Sequence, residues 1–176
     1  IGYDNKFIVE EMVTQLVEVN CSVIGDFSGA KASTLEEVMG TDEFLSYKDK
    51  YEGGGGSKGA KTSGTKSQGM ASTNRIIPAR LTDEGTKYVQ DLALKTFRVL
   101  GSAGVARIDF LINAEDNSVY VNEINTIPGS LSFYLWEKTD RNFTELMTSL
   151  VELALKRQRE RENLTFSFDS NVLALQ

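Results

Sequence analysis

Arg107, Asp109, Glu123 and Asn125 are the residues best suited to chemistry in this chain, and they fall in two β-rich runs. These are G-V-A-R-I-D-F-L-I-N (104–113) and V-Y-V-N-E-I-N (119–125), joined by the polar segment A-E-D-N-S. Side chains alternate between the faces of a strand. Val105, Arg107, Asp109 and Leu111 therefore share one face of the first run, and Val119, Val121, Glu123 and Asn125 share one face of the second. A turn centred on Asp116 sets Asp109 opposite Glu123, and Arg107 opposite Asn125. Opposed Cβ atoms lie about 5 Å apart, where like charges destabilise a sheet. A bare Asp–Glu pair is thus a poor way to build a hairpin but a good way to hold a cation. The alternative is a solvated strand face, and a slip of one residue in register would remove the argument.

The rest of the composition narrows that chemistry. Histidine is absent, which excludes Ser-His-Asp and Cys-His nucleophiles and His-ligated zinc. Acid–base work would fall to Asp, Glu, Lys, Tyr or the substrate itself, and oxygen-only ligands point to magnesium, manganese or calcium. A net charge of −6 argues against a nonspecific nucleic-acid binder. It leaves a phosphate ligand open, because a local Lys/Arg cluster with a metal sets the local field. Cys21 is the sole cysteine, so neither a disulfide framework nor a zinc ribbon is available, and a buried inert thiol is expected. The chain has 176 residues, 40% hydrophobic and 25% charged, enough for one soluble domain with a real core. No apolar run approaches the roughly 18 residues of a membrane span, and no signal peptide opens the chain. A cytosolic protein without a membrane partner is expected.

The elements that must position these residues follow from periodicity. Phe7–Val13 and Leu16–Ile24 are rich in β-formers around Thr14-Gln15 and predict a hairpin. The segment 25–40 has turn residues but no clear period, and is read as irregular with room for a short strand. Phe44–Tyr51 reads as extended. Residues 53–74 are rich in Gly, Ser, Thr and Lys and predict a flexible loop. The loop is no Walker A motif, because Thr65 stands where the lysine belongs. Arg75–Ala79 predicts a short strand with Pro78 near its edge. A helix is expected from Thr82 to Leu100, with Thr82 as N-cap, Gly101 as C′ residue and an apolar stripe of Val89, Leu92, Ala93, Thr96, Phe97 and Leu100. A second runs from Asn142 to Glu162, opened by an Asn142–Glu145 capping box. Its expected core face is Phe143, Leu146, Met147, Leu150, Val151, Ala154 and Leu155. The basic residues near its end suit a helix C-terminus. The tail 163–176 frays after a final L-T-F-S-F strand.

A-R-I-D-F-L (106–111) followed by V-N-E-I-N-T-I-P-G (121–129) closely resembles the end of the D-alanine–D-alanine ligases, a family of the ATP-grasp superfamily. The likeness runs from Phe7 to about Leu155. It implies an α+β fold, mainly antiparallel sheet packed with helices, with residues 1–162 forming the C-terminal part of an ATP-grasp domain. It also implies ATP and two magnesium ions, with manganese as a substitute, as cofactors. Asp109, Glu123 and Asn125 match the metal ligands, with Glu123 bridging the pair. Arg107 matches the arginine that stabilises the tetrahedral intermediate, together with the Gly129 amide. Phe7–Val13 resembles the hinge that receives adenine, with Glu10, Glu11, Met12 and Val13 at the nucleotide. Glu18 matches the acid that holds the ribose hydroxyls, Lys50 a lysine that reaches the phosphates, and Tyr51 a tyrosine that closes the site.

The resemblance has two gaps. The family's N-terminal domain and two further ATP-binding lysines match nothing in this chain, so the isolated chain is expected not to turn over. The family serine that fixes the acceptor carboxylate is replaced by Tyr134, with Ser130 and Ser132 nearby. D-alanine is the default acceptor, with D-serine, D-lactate or another amine open. The function implied is ATP-dependent formation of D-alanyl-D-alanine for peptidoglycan in the cytoplasm, by an enzyme that can be a homodimer. The alternatives are another ATP-grasp carboxylate–amine ligase and a noncatalytic nucleotide-binding module.

Overall fold

The computed structural model describes residues 6–39, 74–139 and 141–164. Five strands form one antiparallel sheet: β1 (Leu16–Asp26), β2 (Gly29–Met39), β3 (Asn74–Ile76), β4 (Gly104–Asn113) and β5 (Val119–Asn125). Their order across the sheet is β3-β2-β1-β4-β5. The helices are α1 (Asp83–Val99), the short α2 (Phe133–Glu137) and α3 (Phe143–Glu162). Among the described residues no helix is long and apolar enough to cross a membrane.

The hairpin predicted at Thr14-Gln15 is not there. Residues 6–13 have no regular secondary structure, and Phe7, Ile8 and Val9 are exposed. β1 turns instead at Phe27-Ser28 and pairs with β2, so the segment read as irregular is an eleven-residue strand. The turn is built by Asp26, whose Oδ1 accepts the Ser28 N–H at 2.9 Å and the Ser28 hydroxyl at 2.6 Å. Its tightness requires Gly25, where φ is +150° and a Cβ would collide with the Gly29 carbonyl oxygen. The apolar signal of β2 is weak because both Glu36 and Glu37, on opposite faces, are buried and paired with cations. The Arg80 guanidinium and backbone N–H bond to Glu37 and hold its carboxyl below the usual range.

Strand alternation gives the sheet two unlike faces. On one, Val19, Cys21, Val23, Leu35, Ile108, Phe110 and Ile112 meet Val89, Ala93 and Phe97 of α1 in the main core. Cys21 is buried as expected, and burial pushes its thiol up to about 12. The α1 helix keeps its expected caps: Thr82 Oγ1 accepts the Gly85 N–H at 3.1 Å, and Gly101 takes φ +62°. Leu100 leaves the expected stripe, at 57% exposure. The α3 helix keeps its capping box, with both Asn142–Glu145 bonds at 3.0 Å. Only Leu146 of its expected core face is fully buried, packed with Ile24 and Trp136 in a second cluster, while Val151, Leu155 and Phe143 are exposed. That cluster lies on the face away from α1, because Ile24 alternates with Val23, and it covers one end of the polar face.

Candidate active site

The register of β4 and β5 is the expected one where it matters: Arg107 pairs with Asn125, and Asp109 with Glu123. It then shifts by one residue, so that Phe110 pairs with Val121 and Ile112 with Val119. Asn122 is therefore the extra residue of a β-bulge. The bulge corrects one expectation. Val119 pairs on the core side and packs there, while Glu123 and Asn125 remain on the other face. A hairpin without it would have to sacrifice either the apolar contact or the acidic pair.

The pairings extend this face across the sheet. Glu36 pairs with Asn20, Asn20 with Asp109 and Asp109 with Glu123, so four strands each give one polar residue to a single row. Glu36, Asn20 and Asp109 are buried, at 2%, 4% and 1% exposure, and Glu123 is exposed. In the neighbouring row Ser22 pairs with Arg107, and Arg107 with Asn125. Arg107 grips Asp109 with a fork, Nε to Oδ1 at 2.7 Å and Nη2 to Oδ2 at 2.8 Å. Burial alone would lower the Arg107 pKa, but Asp109, with a smaller push from Glu36, raises it above its ordinary value. The guanidinium stays charged. Two of its five N–H donors are committed to Asp109, and the other three have no hydrogen bond among the described residues.

The Asp109, Glu123 and Asn125 side chains offer only oxygen donors, the chemistry of a hard cation. Each Asp109 oxygen keeps a second lone pair beyond the Arg107 fork, and Asn125 Oδ1 accepts the Ile127 N–H at 3.2 Å. The donor set fits magnesium ion completed by ligand oxygens. Among the described residues no group of three acidic, Cys or His side chains is gathered that could hold a metal ion without such help.

Beyond Pro128, the chain turns over this face in an unusual way. Ser130, Leu131 and Ser132 have φ of 52°, 53° and 51°, one left-handed turn built from residues with side chains. Such angles cost roughly 1–2 kcal/mol per residue and persist only where the surroundings over-determine them. Ser130 is exposed, whereas Ser132 is fully buried and its hydroxyl has no hydrogen-bond partner among the described residues. Tyr134 follows on α2, its hydroxyl donating to Glu36 Oε1 at 2.8 Å. Burial first, then the Glu36 carboxylate, raise its pKa, so the phenol is neutral.

The other expected residues are distributed as follows. Glu18 lies on β1 two residues before Asn20, half-buried on the same face. Glu10, Glu11 and Met12 are exposed and Val13 half-buried in the segment before β1. Lys50, Tyr51 and the Gly-rich loop up to residue 73 fall outside the described residues, as does the tail beyond Leu164. Asn20, Glu36 and Arg75 were missed. The alternation Glu18-Asn20-Ser22 carried the signal for Asn20, but Glu36 becomes visible only once β2 is known to be a strand. Two clefts of about 720 and 570 Å³ lie elsewhere, along α3 and between β2 and α1. The candidate site is instead the polar sheet face, exposed at Glu123 and buried at Asp109, Asn20 and Glu36.

Residues 1–152 match the family described as D-ala D-ala ligase C-terminus. The chain is 35% identical over 173 residues to the D-alanine–D-alanine ligase of Thermosipho melanesiensis, covering 98% of this chain and 42% of that one. It is 36% identical over 167 residues to the ligase of Acetivibrio thermocellus, covering 92% and 39%. Among solved structures, the D-alanine–D-alanine ligase of Coxiella burnetii superposes with a TM-score of 0.57 at 26% identity, over 83% of this chain and 33% of that one. The Bacillus anthracis ligase complexed with ATP gives 0.56 over 82% and 41%, a likeness of fold alone at 23% identity. The chain thus spans about two fifths of the length of the curated relatives it matches. It belongs to the D-alanine–D-alanine ligase family, matches the C-terminal region of that family, and carries its ATP-grasp fold.

Proposed function

We propose that this chain supplies the metal and acceptor side of an ATP-dependent ligase that joins two D-alanines. The observation that carries the reading is the in-register quartet Arg107, Asp109, Glu123 and Asn125 on one exposed-edged polar face. ATP, when bound, supplies the phosphoryl group that activates the donor carboxylate, and magnesium ion offsets the negative charge of its phosphates. Asp109, Glu123 and Asn125 would hold the metal, with Glu18 and the segment of Glu10 to Val13 at the nucleotide and Lys50 at its phosphates. Arg107 acts at the second step, when the acceptor amine attacks the activated carbonyl. The C–N bond forms, the acyl C–O bond breaks, and inorganic phosphate leaves together with the amine proton. Held by Asp109, Arg107 would present N–H groups to the oxyanion that forms, with the Gly129 amide as the second donor. Asp109 does not need to move a proton for this. Its task is orientation, which fits a carboxylate gripped by two hydrogen bonds. Tyr51, Ser130, Ser132 and Tyr134 would line the acceptor side, and the reaction would run in the cytoplasm for peptidoglycan synthesis.

The test is phosphate release by the full-length protein with ATP, magnesium ion and a panel of D-amino acids. Stimulation by D-alanine alone is expected. Stimulation by a different acceptor reassigns the substrate within the superfamily, and ATP binding without any stimulation identifies a noncatalytic module. The Glu123→Gln variant should lose release by about 100-fold or more, because it removes a metal-ligand charge. Near-wild-type release at ordinary magnesium concentration would overturn the metal assignment.

A further inference from the structure

Glu36 is a buried carboxylate that the proposed chemistry leaves without a task. Its Oε1 accepts two hydrogen bonds, from Asn20 Nδ2 at 2.9 Å and from the Tyr134 hydroxyl at 2.8 Å. Its Oε2 lies 3.4 Å from Arg75 Nη1, and the Arg75 guanidinium also sits 4.8 Å from the centre of the Tyr134 ring. One carboxylate therefore ties β1, β2, β3 and α2 together. Its neighbour in the polar row, Asn20, pairs directly with Asp109. At the other end of this contact lies the left-handed turn, since Tyr134 follows Ser132 by two residues. Two more bonds pin the same segment, from Trp136 Nε1 to Ser22 Oγ at 3.0 Å and from the Thr34 N–H to Thr139 Oγ1 at 2.8 Å. Of the three, only the Glu36 bond involves a charge and reaches the row that contains Asp109. Charge-assisted hydrogen bonds are roughly twice as strong as neutral ones, and a strained turn needs such an anchor to keep one geometry.

We propose that Glu36 is a positioning residue, which through Tyr134 and Arg75 fixes the segment from Gly129 to Trp136, and with it the acceptor side of the site, over Arg107 and Asp109. The inference rests on the ligase reading for its kinetic consequence, but not for its structural one. A positioning role confined to the acceptor side separates the two substrates. Loss of the anchor should weaken acceptor use and spare the nucleotide, which meets the sheet through other residues.

The variants are Tyr134→Phe, which removes one hydroxyl and keeps the ring, and Glu36→Gln, which keeps the shape and removes the charge. In the full-length enzyme each should raise the acceptor KM by roughly tenfold, the effect of one charged hydrogen bond, with the ATP KM unchanged. The double variant should be no worse than the poorer single one, because both act through one contact. Additive effects, or equal changes in both KM values, would overturn the proposal. Trp136 is the only tryptophan of this chain and is 2% exposed, so with any tryptophan outside this chain replaced by phenylalanine, acrylamide quenching of its fluorescence reports the same segment without substrate. Quenching should rise in Tyr134→Phe at unchanged secondary structure. Unchanged quenching overturns the anchor even if no acceptor is turned over, whereas increased quenching with no turnover by the parent enzyme sinks the ligase reading alone. Should Glu36→Gln fail to fold, the substrate-free quenching of Tyr134→Phe decides by itself, because its acceptor KM would also rise if Tyr134 touched the acceptor directly.

Discussion

At the scale of single residues, the site is organised by one ion pair within one strand. Arg107 and Asp109 are two positions apart, which puts them on the same face, and both are largely removed from water, at 13% and 1% side-chain exposure. A buried pair is neutral to stability when intact but leaves a bare charge when broken. Arg107→Ala should therefore destabilise the fold by about 3–5 kcal/mol, read as a lower urea midpoint. Replacing both partners, Arg107→Met with Asp109→Leu, should recover most of that stability while leaving no activity. This separates what the pair does for folding from what it does for a ligand. That the two share a face was legible in the sequence because Arg-x-Asp alternates with apolar residues, but the ion pair between them was not. Glu36 was not, because two adjacent acids look like solvent exposure until each is seen to meet its own arginine on its own face.

At the scale of elements, caps, local spacing and the β4–β5 pairing at the site were readable, whereas the hairpin partner of β1 was not. The Asn142–Glu145 box and the Thr82 cap are encoded within four residues and appear where expected. The β1–β2 hairpin depends on Asp26, Gly25 and a two-residue turn, and the β-former content of Phe7–Val13 drew the prediction to the wrong place. Composition makes a strand permissible, but only a partner makes it form. The same turn is tied to α3, since Lys156 Nζ lies 2.6 Å from Asp26 Oδ2. The hydrogen bonds from Lys156 and then Ser28 hold the Asp26 carboxyl down to about 2, from an ordinary 3.8. The folded value is below the unfolded one, so this contribution is complete above about pH 4 and is lost as the pH falls towards 2. Asp26→Asn should flatten the acid limb of a stability–pH curve in that window and lower stability at neutral pH. An unchanged acid limb would show that the tie between turn and helix carries no weight.

At the scale of the molecule, one sheet separates two kinds of work. The α1 side supplies the main core, and the opposite side carries the polar row and a smaller cluster around Trp136 and Leu146. Phe97→Ala, at 0% exposure in the main core, should cost about 3–5 kcal/mol in urea unfolding. The alternation of β1 and β4 announced this division, but the bulge at Asn122 that reconciles core and site in β5 has no mark in the sequence. The division also explains why three residues can be held at left-handed angles: they are gripped from β1 and β2 through α2, so the fold dictates a shape their own chirality resists. The mirror-image amino acid would not resist it. A semisynthetic chain with D-leucine at position 131 would have its preferred helical angles at φ +53°, and should unfold about 1–2 kcal/mol less readily than the natural chain. In a family named for a D-amino acid, the chain's own backbone would then carry one too.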